Sequence, residues 1–514
     1  MVGRDNNVIT TLRTRQHIDQ EIAKLLQAKS ESEFNAQAER ITASGDQVIP
    51  VILNNLKRAT PQMLNVLGML AALCPDRDQI TDRLYDIAAD ETQPDRHRIS
   101  ALLILERHLG EEPDPSLVSS LDDPQALVKE SVQEMLAEAE ADPLILLDYM
   151  RGLSEQSEDV LENVVETLLL IGQERAVRIL CLLAQDEPES LAQAALHALG
   201  KIDRSEAVRG LQTLQAMLPP SRLPTCERSL RKLAFKGVPI EPLPPVNADW
   251  RTLVSAPDGE GNRVVWFLRQ PDKAGHHLFW GVSTDSNRGI VQAYGNALVP
   301  SGVLPPLQPQ GYIHSVSPED GLVMYMLETD LEYGRRIVRE GVQRTLALGE
   351  QPPVEYLLLG TFIWAYAPDQ DPIAIPDRPA ADRTNNLVSE SANLLAHPAF
   401  QTWFVYGDRV IQKALALMRR STARPEANMA RWTAQLAEDH FDEQTITRLQ
   451  IQLEASAEWL FRARQTHLAQ VAFAAAAALT EIPPNAHPFT LRMAERGIEI
   501  VLEQLHRQLG LSPD

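Results

Sequence analysis

Through the first 236 positions, apolar residues recur at three- and four-residue spacing, in runs broken by Asp, Pro and Thr. That period lays one apolar stripe along each of a series of helices. The leading stripe is Ile18, Ile22, Leu25 and Leu26, which reads as a cap. The runs then come in pairs: Val48–Leu56 with Met63–Leu73, Ile80–Ala89 with Ile99–Leu109, and Leu117–Leu121 with Leu127–Ala137. Leu144–Met150 with Val160–Ile171, Ala176–Leu183 with Leu191–Ile202, and Ala207–Leu218 with Cys226–Phe235 continue the series. Pro61 after Thr60 suits a first helical position, where its missing N–H costs nothing.

The best-formed stretch is Leu191–Leu218, LAQAALHALGKIDRSEAVRGLQTLQAML. Its first helix places Leu191, Ala195, Leu196, Ala198, Leu199 and Ile202 on one broad face, with small residues where a neighbour must come close. Neither helix can bury such a face alone, so the unit makes sense as one layer of a stack. Sliding Leu168–Ile171 onto Leu199–Ile202 gives an offset of 31 residues, and Met135-Leu136 aligns one copy earlier at 33. The helix LAQAALHALGKI resembles a HEAT repeat of the phycobilisome-lyase type, V-R-x-x-A-A-x-A-L-G-x-I, over roughly residues 40–236. The family's Arg is Ala192 here and Val128 in another copy, and its Gly is Leu136 there, so the resemblance implies the fold alone. It implies an α-solenoid over residues 1–236. The second helix of each pair would line a concave face, with Lys129, Glu162, Gln193 and His197 as the partner-binding candidates.

The pattern changes at Gly237. Four prolines within Val238–Pro245 exclude a helix or a central strand and mark residues 237–249 as a linker. Beyond it, Trp250–Ser255, Arg263–Gln270, Leu278–Thr284 and Gly289–Ala293 read as strands separated by turn residues, an antiparallel meander. Ser317–Asp320 fits a helix start, Thr329–Leu348 reads as a helix closed by Gly349, and Val354–Tyr366 fits a buried strand or a buried helix. Residues 250–367 are thus expected to form a small α+β domain. A second break over residues 368–383 precedes helices over 384–514, expected as a bundle: Leu394–Tyr406 with its large aromatics, Arg409–Met418, Asn428–Leu436, Gln444–Gln465, Leu468–Leu479 and Pro488–Gln508. The fold expected is mainly α.

Candidate chemistry is sparse. Asp258-Gly259-Glu260-Gly261 opens no helix after a strand, so it reads as a hairpin turn and not a phosphate cradle. His276 and His277 would point to opposite faces of a strand and could not share one ion. Glu328, Asp330 and Glu332 ahead of Arg335 and Arg336 suit the dipole and the pairing of a solvated helix. Glu355 inside an apolar stretch would need a partner, which an Arg of the preceding helix could supply. If the central domain holds a ligand pocket, Asp285, Arg288, Arg335 and Glu355 are the residues that would line it. His440, His467 and His487 are too scattered to hold a metal, and no nucleophile–base or paired-acid set can be assembled.

Composition narrows the reading further. With 514 residues, 44% hydrophobic and 5% aromatic, the chain suits Ala/Leu-rich helical packing in several domains. A net charge of −22 repels nucleic acid and anionic membranes in general; a nucleic-acid site would need a Lys/Arg stripe with aromatics, which the linear sequence does not display. Cys74, Cys181 and Cys226 form no metal-ligand spacing and read as inert, reduced thiols. The N-terminus lacks a signal-peptide core, and the apolar runs near Val354–Ala367 and Val471–Leu479 fall short of the roughly 20 residues a membrane span requires. The expectation is a cytoplasmic, non-enzymatic protein–protein interaction scaffold that needs no cofactor and takes a protein or peptide on its helical face. The alternative is an enzyme or small-ligand-binding protein with its pocket in the central domain.

Overall fold

The computed structural model describes residues 15, 17–25, 31–112, 114, 116–117, 120–121, 132, 136, 139, 145–154, 158–171, 174–186, 188–246, 249–270, 276–317, 323–367, 381–419 and 425–508. The chain is mainly helical with one central antiparallel sheet. It divides into two compact units, Met1–Leu180 and Cys181–Asp514.

In the first unit, α1 (Glu31–Thr42), α2 (Val48–Asn55), α3 (Pro61–Ala72), α4 (Arg77–Ala89) and α5 (Asp95–Leu109) follow in close succession, with α6 (Ile145–Ser154) and α7 (Glu158–Ile171) further on. The apolar stripes bury as their spacing requires: Ile18, Ile22 and Leu25 join Val48, Ile52, Leu67, Leu70, Ile80, Leu84, Ile104 and Leu105 in one core. Thr60 caps α3 by accepting from the Met63 N–H at 3.2 Å, with Pro61 at the first helical position. Asp76 caps α4 in the same way, at 3.0 Å from the Gln79 N–H. Such caps satisfy backbone donors that have no intrahelical partner. The buried Arg98 ties α4 to α5: its Nε donates to the Ala88 carbonyl at 2.9 Å and its NH1 to the Ser120 carbonyl at 3.0 Å. The expected helix Leu127–Ala137 lies almost wholly outside the described residues.

The helix α8 (Glu174–Leu183) leads into the second unit, which opens with α9 (Glu189–Leu199), α10 (Ser205–Leu214) and α11 (Leu223–Phe235). Three contacts join α9 and its C-terminal turn to α11 across the same separation of 33 residues: Arg222 with Glu189 at 2.7 Å, Ser229 Oγ with the Leu196 carbonyl at 2.8 Å, and Lys236 with Asp203 at 2.7 Å. A constant separation at successive levels means that the two helices run parallel. Gly200 lets them close up, since a Cβ there would sit 2.8 Å from Ser229 Cβ.

The sheet comprises β1 (Trp250–Ser255), β2 (Arg263–Arg269), β3 (His276–Asp285), β4 (Gly289–Pro300), β5 (Ile313–Val316) and β6 (Met324–Thr329), in the order β4-β3-β2-β1-β6-β5, every pair antiparallel. The meander therefore has two more strands than the turn signals marked. The helix α12 (Leu331–Ala347) lies across β1–β4, and α13 (Val354–Trp364) packs on β4. Gly334 permits that approach, because a Cβ there would meet Thr252, Phe267 and Val265 at 2.6–3.1 Å. Val354–Tyr366 thus resolves as a helix, apolar on nearly every side because Tyr356, Leu357, Leu358, Leu359, Ile363 and Trp364 are all buried. Glu328, expected on a helix with Asp330 and Glu332, instead lies in β6, opposite Leu253 of β1; Asp330 is the cap of α12, accepting from the Tyr333 N–H at 2.8 Å. The expected helix start at Ser317–Asp320 lies mostly outside the described residues.

The C-terminal helices are α14 (Ala381–Glu390), α15 (Asp408–Arg419), α16 (Pro425–His440), α17 (Glu443–Arg462), α18 (Thr466–Ala478) and α19 (Pro488–Gln508). Leu394–Tyr406, expected to continue the helical pattern, forms only short 3-10 turns over Ser391–Ala396 and Pro398–Phe400. Pro398 has no N–H to donate and crowds the preceding turn, which ends the helix. Its aromatics anchor instead, with Phe400, Trp403 and Phe489 packed ring against ring. The linkers at 237–249 and 368–383 do not bound separate compact bodies. Trp459 Nε1 donates to the Val254 carbonyl at 2.9 Å and Trp403 Nε1 to the Pro257 carbonyl at 3.0 Å, which fastens the C-terminal helices to the sheet. Gln185, after α8, reaches the Leu357 carbonyl of α13 at 3.5 Å.

Candidate functional site

The pocket expected in the central domain does not assemble. Asp285 closes the β3–β4 turn, accepting from the backbone N–H groups of Asn287 at 2.6 Å and Arg288 at 2.8 Å, while the Arg288 side chain is exposed. The Arg288 carbonyl accepts from Thr345 Oγ1, near the C-terminal end of α12. Arg335 belongs to the other end of that helix, about 15 Å away at 1.5 Å per residue. It is buried rather than solvated. Its guanidinium donates to Glu332 at 3.0 Å and to the Tyr366 and Ala367 carbonyls at 2.9 and 3.2 Å, and lies 4.8 Å from the Trp364 ring. Burial pushes its pKa below the usual guanidinium range, and the neighbouring Glu332 opposes that. Arg335 therefore closes the C-terminal end of α13. Glu355 is half-buried in the first turn of α13, where a carboxylate suits the helix dipole.

The buried charges of this unit pair with one another, while Tyr333 Oη and Arg335 Nε have no hydrogen-bond partner among the described residues. Glu328 takes both its oxygens to Arg251 at 2.6 Å and one to His314 Nε2 at 2.8 Å. Arg251 spends its remaining donors on the Pro305 and Pro306 carbonyls, at 2.6 and 2.9 Å. A second cluster joins α12 to α17: Glu458 pairs with Arg336 and Arg462, Arg462 with Asp330 at 3.1 Å, and Arg462 stacks 4.0 Å from the Tyr333 ring. Burial alone would raise Glu458, but the two guanidinium groups hold its carboxyl below the usual range. Burial pushes the Tyr333 hydroxyl up to about 12. These arrangements hold elements together and present no reactive group to a cavity. His277 bonds the Arg269 carbonyl and Ser301 Oγ, a strand-edge role. Among the described residues no group of three His, Cys, Asp or Glu could hold a metal ion, and no helix is long and apolar enough to cross a membrane.

An open groove does exist in the first unit, between α2, α4 and the start of α5, with a volume of about 590 Å³. Ile49, Leu53 and Ile87 give it an apolar floor, and Asn54, Lys57, Gln79, Arg83 and Asp86 give it a polar rim. His97 lines it at 4% exposure. Two bonds set its state. Gln93 Nε2 donates to Asp90 Oδ2 at 3.0 Å, so Gln93 Oε1 is the atom facing His97 Nδ1 at 3.1 Å and Nδ1 carries the proton. Burial lowers the His97 pKa, so the ring is neutral and Nε2 is an acceptor. Among the described residues no hydrogen bond reaches Nε2. The opposing Leu53 carbonyl cannot serve, because it too only accepts. Among the described residues the groove thus holds one buried side-chain acceptor, His97 Nε2, that lacks a donor.

The sequence did not single out His97, Lys57 or Arg83. The one signal was a histidine four residues before Ala101 on the buried stripe of α5, a spacing that also fits a core residue. Of the concave-face candidates, Lys129 lies outside the described residues and Glu162 lies on α7. Gln193 and His197 share one ridge of α9; Gln193 bonds Glu189 at 2.6 Å, and His197 is half-buried. Burial lowers the His197 pKa, and Lys232, Arg228 and Lys201 lower it further. Comparison with family models, with curated proteins and with solved structures returned no match to this chain.

Proposed function

We propose that this protein is a non-enzymatic interaction protein of the HEAT type, which holds an extended peptide segment of a protein partner in the groove between α2, α4 and α5. The observation that carries the reading is the open groove itself, about 590 Å³ with an apolar floor of Ile49, Leu53 and Ile87 inside a polar rim. Ile49, Leu53 and Ile87 would take an apolar side chain of the same segment, and Asn54 and Gln79 offer further hydrogen bonds. The separation of 33 residues that recurs between α9 and α11 supports the repeat reading.

Selection of a displayed random-peptide library on the purified protein tests it. Enriched peptides should lose about tenfold or more in affinity for an Ile87→Asp variant, because the floor would then carry a charge with no partner. A His97→Phe variant should lose less, since the buried ring lies beneath the floor and offers a peptide little surface. If no peptide is enriched above the Ile87→Asp background, the reading is wrong.

A further inference from the structure

We infer that a second, separate surface, formed by α9 and α11, docks an acidic segment of a partner protein. In a chain of net charge −22, Lys201, Arg228 and Lys232 converge around His197. Arg231 follows Arg228 by one helical turn. None of these four cations has an ion-pair partner among the described residues. The nearby Lys236 differs, since Asp203 neutralises it at 2.7 Å. Glu227 is exposed on the flank of α11, and the remaining carboxylate on the α9 ridge, Glu189, is held by Arg222 and Gln193.

The sequence of α11 explains the geometry. Thr225, Cys226, Ser229, Leu230 and Leu233 form its buried face. At 3.6 residues per turn, Arg228, Arg231 and Lys232 must fall on the outer face, and Phe235 comes one turn after the last two. Phe235 is 91% exposed, the most exposed large apolar side chain among the described residues. The helix dipole accounts for lysines near the C-terminal ends of α9 and α11, but not for Arg228 in the body of α11 or for an exposed phenylalanine beside it. Unneutralised cations framing one exposed aromatic fit a short segment that carries several carboxylates and one apolar side chain. A nucleic acid fits less well. The charge of the whole chain repels a long polyanion, and a single phenylalanine gives no run of stacking platforms.

The test is fluorescence anisotropy of the full chain with a labelled glutamate–leucine peptide. Saturable binding is expected at low salt and should fade as the screening length shrinks from about 30 Å at 0.01 M to about 8 Å at 0.15 M. The double substitution Arg228→Glu and Lys232→Glu should weaken it by about tenfold or more, and Phe235→Ala by severalfold. Reversal of the exposed Arg409 to Glu should leave it unchanged. Matching circular dichroism establishes that the variants fold. Absence of saturable binding, or equal loss with Arg409→Glu, would overturn the proposal. Tighter binding of an oligothymidylate of equal charge would overturn the partner class. A lysine–leucine peptide binding as well as the acidic one would overturn the charge argument.

Discussion

Replacing Glu328 by Leu would leave the Arg251 guanidinium beneath the Pro305–Pro306 loop with its charge uncompensated. In the native chain the Glu328 side chain is 4% exposed and that of Arg251 is 14% exposed, so water can do little to replace the lost carboxylate. Breaking a buried pair in this way costs about 3–5 kcal/mol. Removing both charges, with Arg251→Met and Glu328→Leu together, should cost less. What remains lost is then two hydrogen bonds to the Pro305 and Pro306 carbonyls and the one between Glu328 and His314, at about 1 kcal/mol each, the last of them lost in the single variant as well. Urea unfolding followed by tryptophan emission is a suitable assay because all seven tryptophans lie between residues 250 and 459, inside the second compact unit. With a urea slope of about 3 kcal/mol per molar, the single variant should lose about 1.3–2 M in midpoint and the double variant about 1 M. A single variant within about 1 kcal/mol of the native chain, or a double variant as unstable as the single, would refute the reasoning.

Three further outcomes are expected. Gly497→Ala would drive a Cβ to 2.0 Å from the Val405 carbonyl oxygen, part of a backbone that is itself bonded to Met493; the urea midpoint should drop by the equivalent of about 3 kcal/mol, and a drop under about 1 would contradict that packing. His487 sits fully buried between the Ala475 carbonyl and the Phe489 N–H, and burial lowers its pKa. The unfolded chain therefore takes up a proton near the ordinary value of about 6.5 that the folded chain refuses, so stability is fully present above that pH and is lost as pH falls below it. His487→Asn should flatten this part of the pH–stability curve, and an unchanged slope would remove His487 from the account. The three cysteines are buried, with the Cys74 thiol pushed up to about 11 and Cys226 to about 12 by desolvation; a thiol reagent at pH 8 should label none in the native chain and all three in urea. Labelling of the native chain within minutes would contradict their burial.

The sequence by itself determined nearly every helix, because a 3.6-residue period must bury its apolar stripe whatever it packs against. Ile18, Ile22 and Leu25, the pairs from Val48 to Leu109, and the helices from Glu189 to Phe235 follow their spacing to within a few residues. Turn residues marked the strands from Trp250 to Ala293 equally well, since glycine and proline act on the local backbone. Tertiary structure alone decided what the polar residues do. Arg335 looks like a solvated helix residue until Trp364 and the carbonyls after α13 cover it. Glu328 looks like its helical neighbour until Arg251, 77 residues away, claims both its oxygens. The orphan state of His97 depends on how Gln93 is turned by Asp90, and Lys201 and His197 join the cations of α11 only because α9 and α11 run side by side. Local periodicity encodes burial through nearest neighbours along the chain. Charge pairing and open acceptors depend on groups brought together from distant positions, and no spacing rule records those.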